Sequence, residues 1–312
     1  GPAPRGVRGE VKGFRVVFIY LLCCVLWGST WSAIKVGLRD WQPLWFAGSR
    51  MLLAAVCLSP FVAHRWSQRP TRTLFGKMLG LGVLQIGVPY AMMFVAQEWL
   101  PASIAAVLFA TFPVWLVLLA RFTMRGEHLT PLKLLAVALG FGGVIVLQLP
   151  RLRGLSFGSN EALGAGLVLG AAMLIALANV LIRKELSSAN PMMVTFFQIS
   201  SGAVVILILA MVFEGRPTFP HGVRPYAVLG YLAVFGTALT YGCFFWLINR
   251  IPIAAIGIIP LLDTTVAVLL GAAFLDERIT RYVLIGGGLI LTAAALANRR
   301  LPEPEEGATE AG

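Results

Sequence analysis

Two charged residues lie where a charge is costly to place. Asp263 falls well inside an apolar stretch, the only acidic residue to do so, and Arg50 lies a third of the way along another. A charge at the centre of a bilayer costs about 2.5–3.5 kcal/mol on insertion scales. Asp263 therefore has to face a protein interior, take up a proton, or pair. It could meet an ammonium group, carry protons, pair with Arg50, or cap a kink near Pro260. Arg50 could bind a carboxylate through two parallel hydrogen bonds. It could equally snorkel to an interface or lock two helices together. The locking role weighs more, because buried arginines usually pair.

Uncharged side chains suggest a surrounding chamber. Trp27, Tyr90 and Tyr241 fall deep within apolar runs, and Phe109/Phe112 and Tyr241/Phe245 repeat at helical spacing on one face. Gln85 and Asn179 are amides at membrane depth that cannot bond back to their own helix as readily as Ser29, Thr30 or Thr111 can. The candidate cavity set is thus Trp27, Thr30, Gln85, Tyr90, Phe109 and Phe112 with Asn179, Tyr241, Phe245 and Asp263, and Arg50 is a possible charge partner. Lipid-facing or core packing is the competing account of the rings.

The elements that must position these residues follow from composition. Hydrophobic residues form 58% of the 312-residue chain and charged residues 12%, against about 25% charged in soluble domains. Too few charges remain to clothe a water-facing surface. Ten apolar stretches have lengths near the roughly 20 residues that cross a bilayer: 16–38, 44–63, 74–97, 102–124, 132–149, 162–182, 192–213, 226–249, 253–275 and 281–298. The expected fold is an all-α membrane protein. Gly1-Pro2 reads as a protease-cleavage remnant within an N-terminal segment 1–15, and a Pro- and Glu-rich tail, 299–312, is expected to be disordered. Gly76/Gly80 and Gly166/Gly170 have the spacing of helix-contact faces.

The net charge of +11 is spread as short basic clusters between apolar runs, where lipid headgroups lie, and not as the basic face that nucleic acid needs. Sixteen Lys and Arg fall on the side of the N-terminus and eight on the other. The positive-inside rule therefore puts both termini in the cytoplasm of a multi-pass inner (cell) membrane protein. Most of that bias comes from the first half. The four cysteines sit in apolar stretches without metal-site spacing, and the three histidines lie in loops. No zinc-protease, nucleophile-elbow or Walker-A sequence occurs, so neither an enzyme nor a cofactor is expected.

The chain also repeats itself. Pro43 precedes Arg50 by seven residues, as Pro191 precedes Gln198. Tyr90 precedes Leu100-Pro101 by ten, as Tyr241 precedes Ile251-Pro252, and Gly126-Glu127-His128-Leu129-Thr130 matches Asp276-Glu277-Arg278-Ile279-Thr280. The offsets run from 148 to 151. Repeats spanning 16–149 and 150–298 would each hold five crossings, so the second would enter the membrane inverted. Inverted repeats place a pathway between the halves and allow alternating access.

Trp27-Gly28-Ser29-Thr30-Trp31-Ser32-Ala33-Ile34-Lys35 and Phe46-Ala47-Gly48-Ser49-Arg50-Met51 resemble the first- and second-helix segments of the drug/metabolite transporter superfamily, EamA branch. Ala102-Ser103, Thr111-Phe112-Pro113 and Gly126-Glu127 resemble the end of its first repeat, and Phe274-Leu275-Asp276-Glu277-Arg278 the end of its second. The resemblance spans about residues 16–298 and is nearest to the family's aromatic amino-acid exporters. It implies ten helices, cytoplasmic termini and secondary export of neutral or aromatic amino acids, or of similar metabolites. A proton-coupled multidrug exporter is the alternative. One departure stands out: fourteen residues before Glu127 is Pro113, whereas fourteen before Glu277, where the family usually has proline, is Asp263.

Overall fold

The computed structural model describes residues 5–66, 69–100, 105, 108–123, 130–152, 159–274 and 281–297. Among them there is helix and no strand. Lipid offers backbone groups no hydrogen bonds, and a helix satisfies its own. In chain order the helices are α1 (Arg5–Gly37), α2 (Pro43–His64), α3 (Arg72–Gly82), α4 (Val88–Trp99), α5 (Phe112–Thr123) and α6 (Pro131–Leu152). There follow α7 (Ser159–Glu185), α8 (Pro191–Phe213), α9 (Val223–Ala233), α10 (Thr240–Leu247), α11 (Ile253–Phe274) and α12 (Arg281–Ala297). A π-helical turn, Val83–Gly87, joins α3 to α4, and a second, Val234–Leu239, joins α9 to α10.

By length and composition five helical stretches can cross a membrane: Pro43–His64, Arg72–Trp99, Asn160–Glu185, Pro191–Phe213 and Val223–Leu247. Shorter apolar helices cover Phe14–Thr30, Phe112–Thr123, Leu134–Val146 and Leu284–Ala293. The outer surface carries large apolar side chains such as Phe18, Leu52, Val204 and Ile208. Arg50, Gln85, Asn179, Gln198, Thr237 and Asp263 are buried inside. Apolar outside and polar within is the distribution that a lipid solvent selects.

Local chemistry sets the helix ends. Pro43 and Pro191 occupy the first turns of α2 and α8, where a missing N–H costs nothing. Asn190 caps α8 by accepting from Met192 N at 2.9 Å. Glu214 caps α2 from across the molecule, accepting from Leu44 N at 2.6 Å and Trp45 N at 3.0 Å. Pro89 has no N–H to give the carbonyl of Gln85, and the helix widens into its first π-turn just before it.

Three sequence expectations change. Helix α1 begins at Arg5, because nothing in 5–15 ends a helix that continues out of the apolar zone. The stretch expected to run unbroken through 102–124 turns at Ala110 and Thr111 and restarts at Phe112. Pro113 cannot donate to the preceding turn. Gly76, Gly80 and Gly166 make no helix contact and face open space, whereas a Cβ on Gly170 would meet Met92. Residues 101–104, 124–129, 275–280 and 298–312, with the motifs and tail expected there, lie outside the described residues.

The helices pack in matched pairs. α2 lies along α8, and α6 along α12. α1 packs on α11 as α5 packs on α7, and α1 on α10 as α7 on α4. α5 meets α11 directly. A Cβ on Gly257 of α11 would stand 3.2 Å from Pro113 Cα.

Candidate functional site

A cavity of about 100 Å³ lies between α1, α4, α5, α7, α10 and α11. At about 10–15 Å³ for each water-sized position, it takes roughly seven to ten atoms. It runs from Asp263 and Pro260 towards Ile34 and Gln97, near the ends of α1 and α4. Towards the beginning of α1 the space is filled. Tyr20 Oη there donates to Ala255 O at 2.9 Å, and Ile256 and Ile259 are buried beside it.

Its wall brings together most of the residues singled out in the sequence. Trp27 and Thr30 come from α1, Tyr90 from α4 and Asn179 from α7. Gln85 comes from the first π-turn, and Phe109 and Phe112 flank the break before α5. Tyr241 and Asp263 complete the set from α10 and α11. Phe245 is placed behind the wall, 2% exposed, packed on Tyr241 with ring centroids 5.6 Å apart. Its neighbour Phe244 faces the cavity instead. On a helix turning about 100° per residue, one position decides which ring looks inward. Met93, Phe94 and Ile175 were not anticipated, and as plain apolar residues on apolar helices they carried no distinguishing signal.

The rings are ordered against each other. Phe109 and Phe112 stack at 5.9 Å and 9°. Trp27 meets Tyr241 edge-on at 5.5 Å and Phe244 at a tilt of 53° at 5.1 Å. Tyr90 and Tyr241, one from each half, share a hydrogen bond between hydroxyls at 2.8 Å.

Arg50 lines the cavity although it belongs to α2. It is 1% exposed. Its Nε donates to Thr237 Oγ1 at 2.7 Å and its Nη2 to Gly236 O at 3.1 Å. Both partners belong to the second π-turn. Arg50 thus ties α2 to the place where the α-helical ladder is interrupted. Gly236 lacks a side chain where a Cβ would fall 2.6 Å from Thr30 Cγ2 and 3.5 Å from Arg50 Nη2. Thr237 and Thr240 turn their hydroxyls back onto Leu232 O and Phe235 O, occupying carbonyls in the widened helix. Arg50 Nη1, Trp27 Nε1, Gln85 Oε1 and both polar atoms of Asn179 are buried without a hydrogen-bond partner.

Asp263 is 5% exposed. α11 runs unbroken through it, with Pro260 one turn earlier. α1 crosses closely at this level: a Cβ on Gly28 would be 2.7 Å from Asp263 O. The backbones can approach only because Gly28 is glycine. Among the described residues no group of three or more His, Cys, Asp or Glu side chains could hold a metal ion.

Comparison with known proteins places this cavity in a context. The pattern of the EamA-like transporter family matches twice, over residues 14–149 and 162–299. The chain is 31% identical over 281 residues to the "Probable amino-acid metabolite efflux pump" of Escherichia coli K12, covering 87% of this chain and 91% of that one. It is 29% identical over 276 residues to the "Uncharacterized inner membrane transporter YedA" of the same organism, covering 87% of each. A solved crystal structure superposes with a TM-score of 0.77 at 17% identity, over 91% of this chain and 96% of that chain, a likeness of fold.

Proposed function

The chain belongs to the EamA-like transporter family, and on that premise we propose that it is a secondary transporter of the bacterial inner membrane, exporting neutral amino acids or similar small amphipathic metabolites by alternating access. The observation that carries this reading is the cavity itself. A cation, a carboxylate, amides and stacked rings converge in one space between helices of both halves. Such a lining suits a molecule with a charged end and an apolar end. The present volume accommodates a small neutral amino acid, and aromatic ones enter once the wall widens.

Ten crossings in two inverted repeats, 16–149 and 150–298, belong to the proposal. Several observations support them. The π-turns start 151 residues apart, as do Tyr90 and Tyr241. Exchanging the halves converts the α1–α11 contact into α7–α5, and leaves α2–α8 and α6–α12 unchanged. Arg50 approaches the second π-turn, and its counterpart Gln198 lies on α8 against the first. Cytoplasmic termini follow from the basic clusters. On that orientation the cavity reaches towards the outside, and Tyr20 closes the cytoplasmic side.

Asp263, a buried carboxylate on the cavity wall, favours one second reading, proton-coupled export of multiple drugs. Transport in liposomes containing only the purified protein tests the main reading. Labelled leucine and phenylalanine are expected to exchange without nucleotide. An absolute need for ATP, or transport of cationic dyes driven by a pH gradient with no amino-acid flux, would replace it.

A further inference from the structure

Arg50 has three nitrogens that can donate, and two are used. Nε and Nη2 are spent on one edge of the second π-turn, which fixes the plane of the guanidinium. Nη1 is buried, has no hydrogen-bond partner, and belongs to a side chain that lines the cavity. The partners of the other two nitrogens are a hydroxyl and a carbonyl, so they satisfy donors without cancelling charge. A buried cation with an open donor is costly until an anion or a polar group reaches it. Around it stand further open groups of complementary kind, the donor Trp27 Nε1 and the acceptor Gln85 Oε1. Phe109, Phe112, Tyr241 and Phe244 give the wall an aromatic part, and Asn179 and the carboxylate Asp263 line the same space.

We infer that Arg50 is the carboxylate-binding residue of the cavity, presented by the second π-turn. The substrate class is then small molecules with one carboxylate and an apolar body, the α-amino acids among them. The inference rests on the transporter reading and names what its cavity grips. A polyanion is disfavoured because Arg50 is the one cation lining this space among the described residues. The widened turn has a purpose here: it turns Gly236 O towards α2, where a regular helix would keep that carbonyl in its own ladder. Arg50 is then held from behind and keeps Nη1 for the ligand. Thr237 is a positioning residue.

The test uses three probes of one shape: L-leucine, L-leucinamide, which keeps the ammonium and loses the carboxylate, and 4-methylpentanoate, which keeps the carboxylate alone. Binding is read on purified protein in detergent by the ligand-dependent shift in melting temperature, and transport by exchange in liposomes. The native protein is expected to bind leucine at least about tenfold more tightly than leucinamide, the worth of a charge-assisted hydrogen bond, and to bind 4-methylpentanoate detectably. Arg50→Gln should lose that preference, weakening leucine and 4-methylpentanoate while leaving leucinamide unchanged. Arg50→Lys should keep part of it and serves if the glutamine variant does not fold. Equal binding of acid and amide by the native protein, or a preference that survives Arg50→Gln, would overturn the inference even if leucine is transported. Acid-selective binding lost in Arg50→Gln, with no flux of any probe, would keep Arg50 as the carboxylate site and remove the transporter reading.

Discussion

At the scale of single residues, the two buried charges have different surroundings. Arg50 is held by neutral groups that leave its charge intact. Asp263 sits at a close crossing of α1 and α11, on a helix left continuous where the matching position in the first half is Pro113. If Asp263 receives the substrate ammonium, Asp263→Asn keeps shape and removes attraction. Amino acids should then lose about tenfold or more in apparent affinity, while carboxylates without an ammonium change little. If it carries protons, the same variant should uncouple flux from a pH gradient and spare passive exchange. A stable Asp263→Asn protein with native affinities and native pH response would take this residue out of the mechanism.

At the scale of elements, the cavity is shaped by interruptions in helices. One lies at the break before Pro113, and two are π-turns. Pro89 explains the first π-turn, and hydroxyls of Thr237 and Thr240 hold the second. On the other side of the cavity α1 packs on α11, where Tyr20 Oη donates to Ala255 O, and alternating access would require this contact to open. Removing that hydroxyl costs about 0.5–1.5 kcal/mol, which shifts a two-state equilibrium by roughly two- to twelvefold. Tyr20→Phe is therefore expected to raise the population open towards the N-terminal side. The readout is the labelling rate of a cysteine introduced at Ile259 in inside-out vesicles. An unchanged rate would mean the bond does not hold this side shut.

At the scale of the whole molecule, large apolar side chains cover much of the surface while several polar ones are buried in an apolar core, and the two halves contact each other through matched helices. Orientation across the membrane is an electrostatic question, and the basic clusters are the ground for proposing cytoplasmic termini. On a background without native cysteines, Gln68→Cys should resist an impermeant reagent added to intact cells, and His221→Cys should react. Reaction at position 68 with protection at 221 would turn the protein over, and with it the direction in which the cavity faces.

The sequence alone determined the solvent, the helical class and the family, because composition and run length respond to lipid directly and the motif residues lie in order along the chain. It also marked Trp27, Gln85, Tyr90, Asn179, Tyr241 and Asp263, since a polar or aromatic residue deep in an apolar run is conspicuous whatever it touches. Tertiary structure decided what periodicity leaves open. Phe244 faces the cavity and Phe245 does not, a difference of one helical step. Gly76 and Gly80 have contact spacing but turn outward. Arg50 bonds to Thr237 and Gly236, almost 190 residues away in sequence. That contact exists only where α2 of one half meets the widened turn of the other, and a linear pattern of residues does not encode which helices cross.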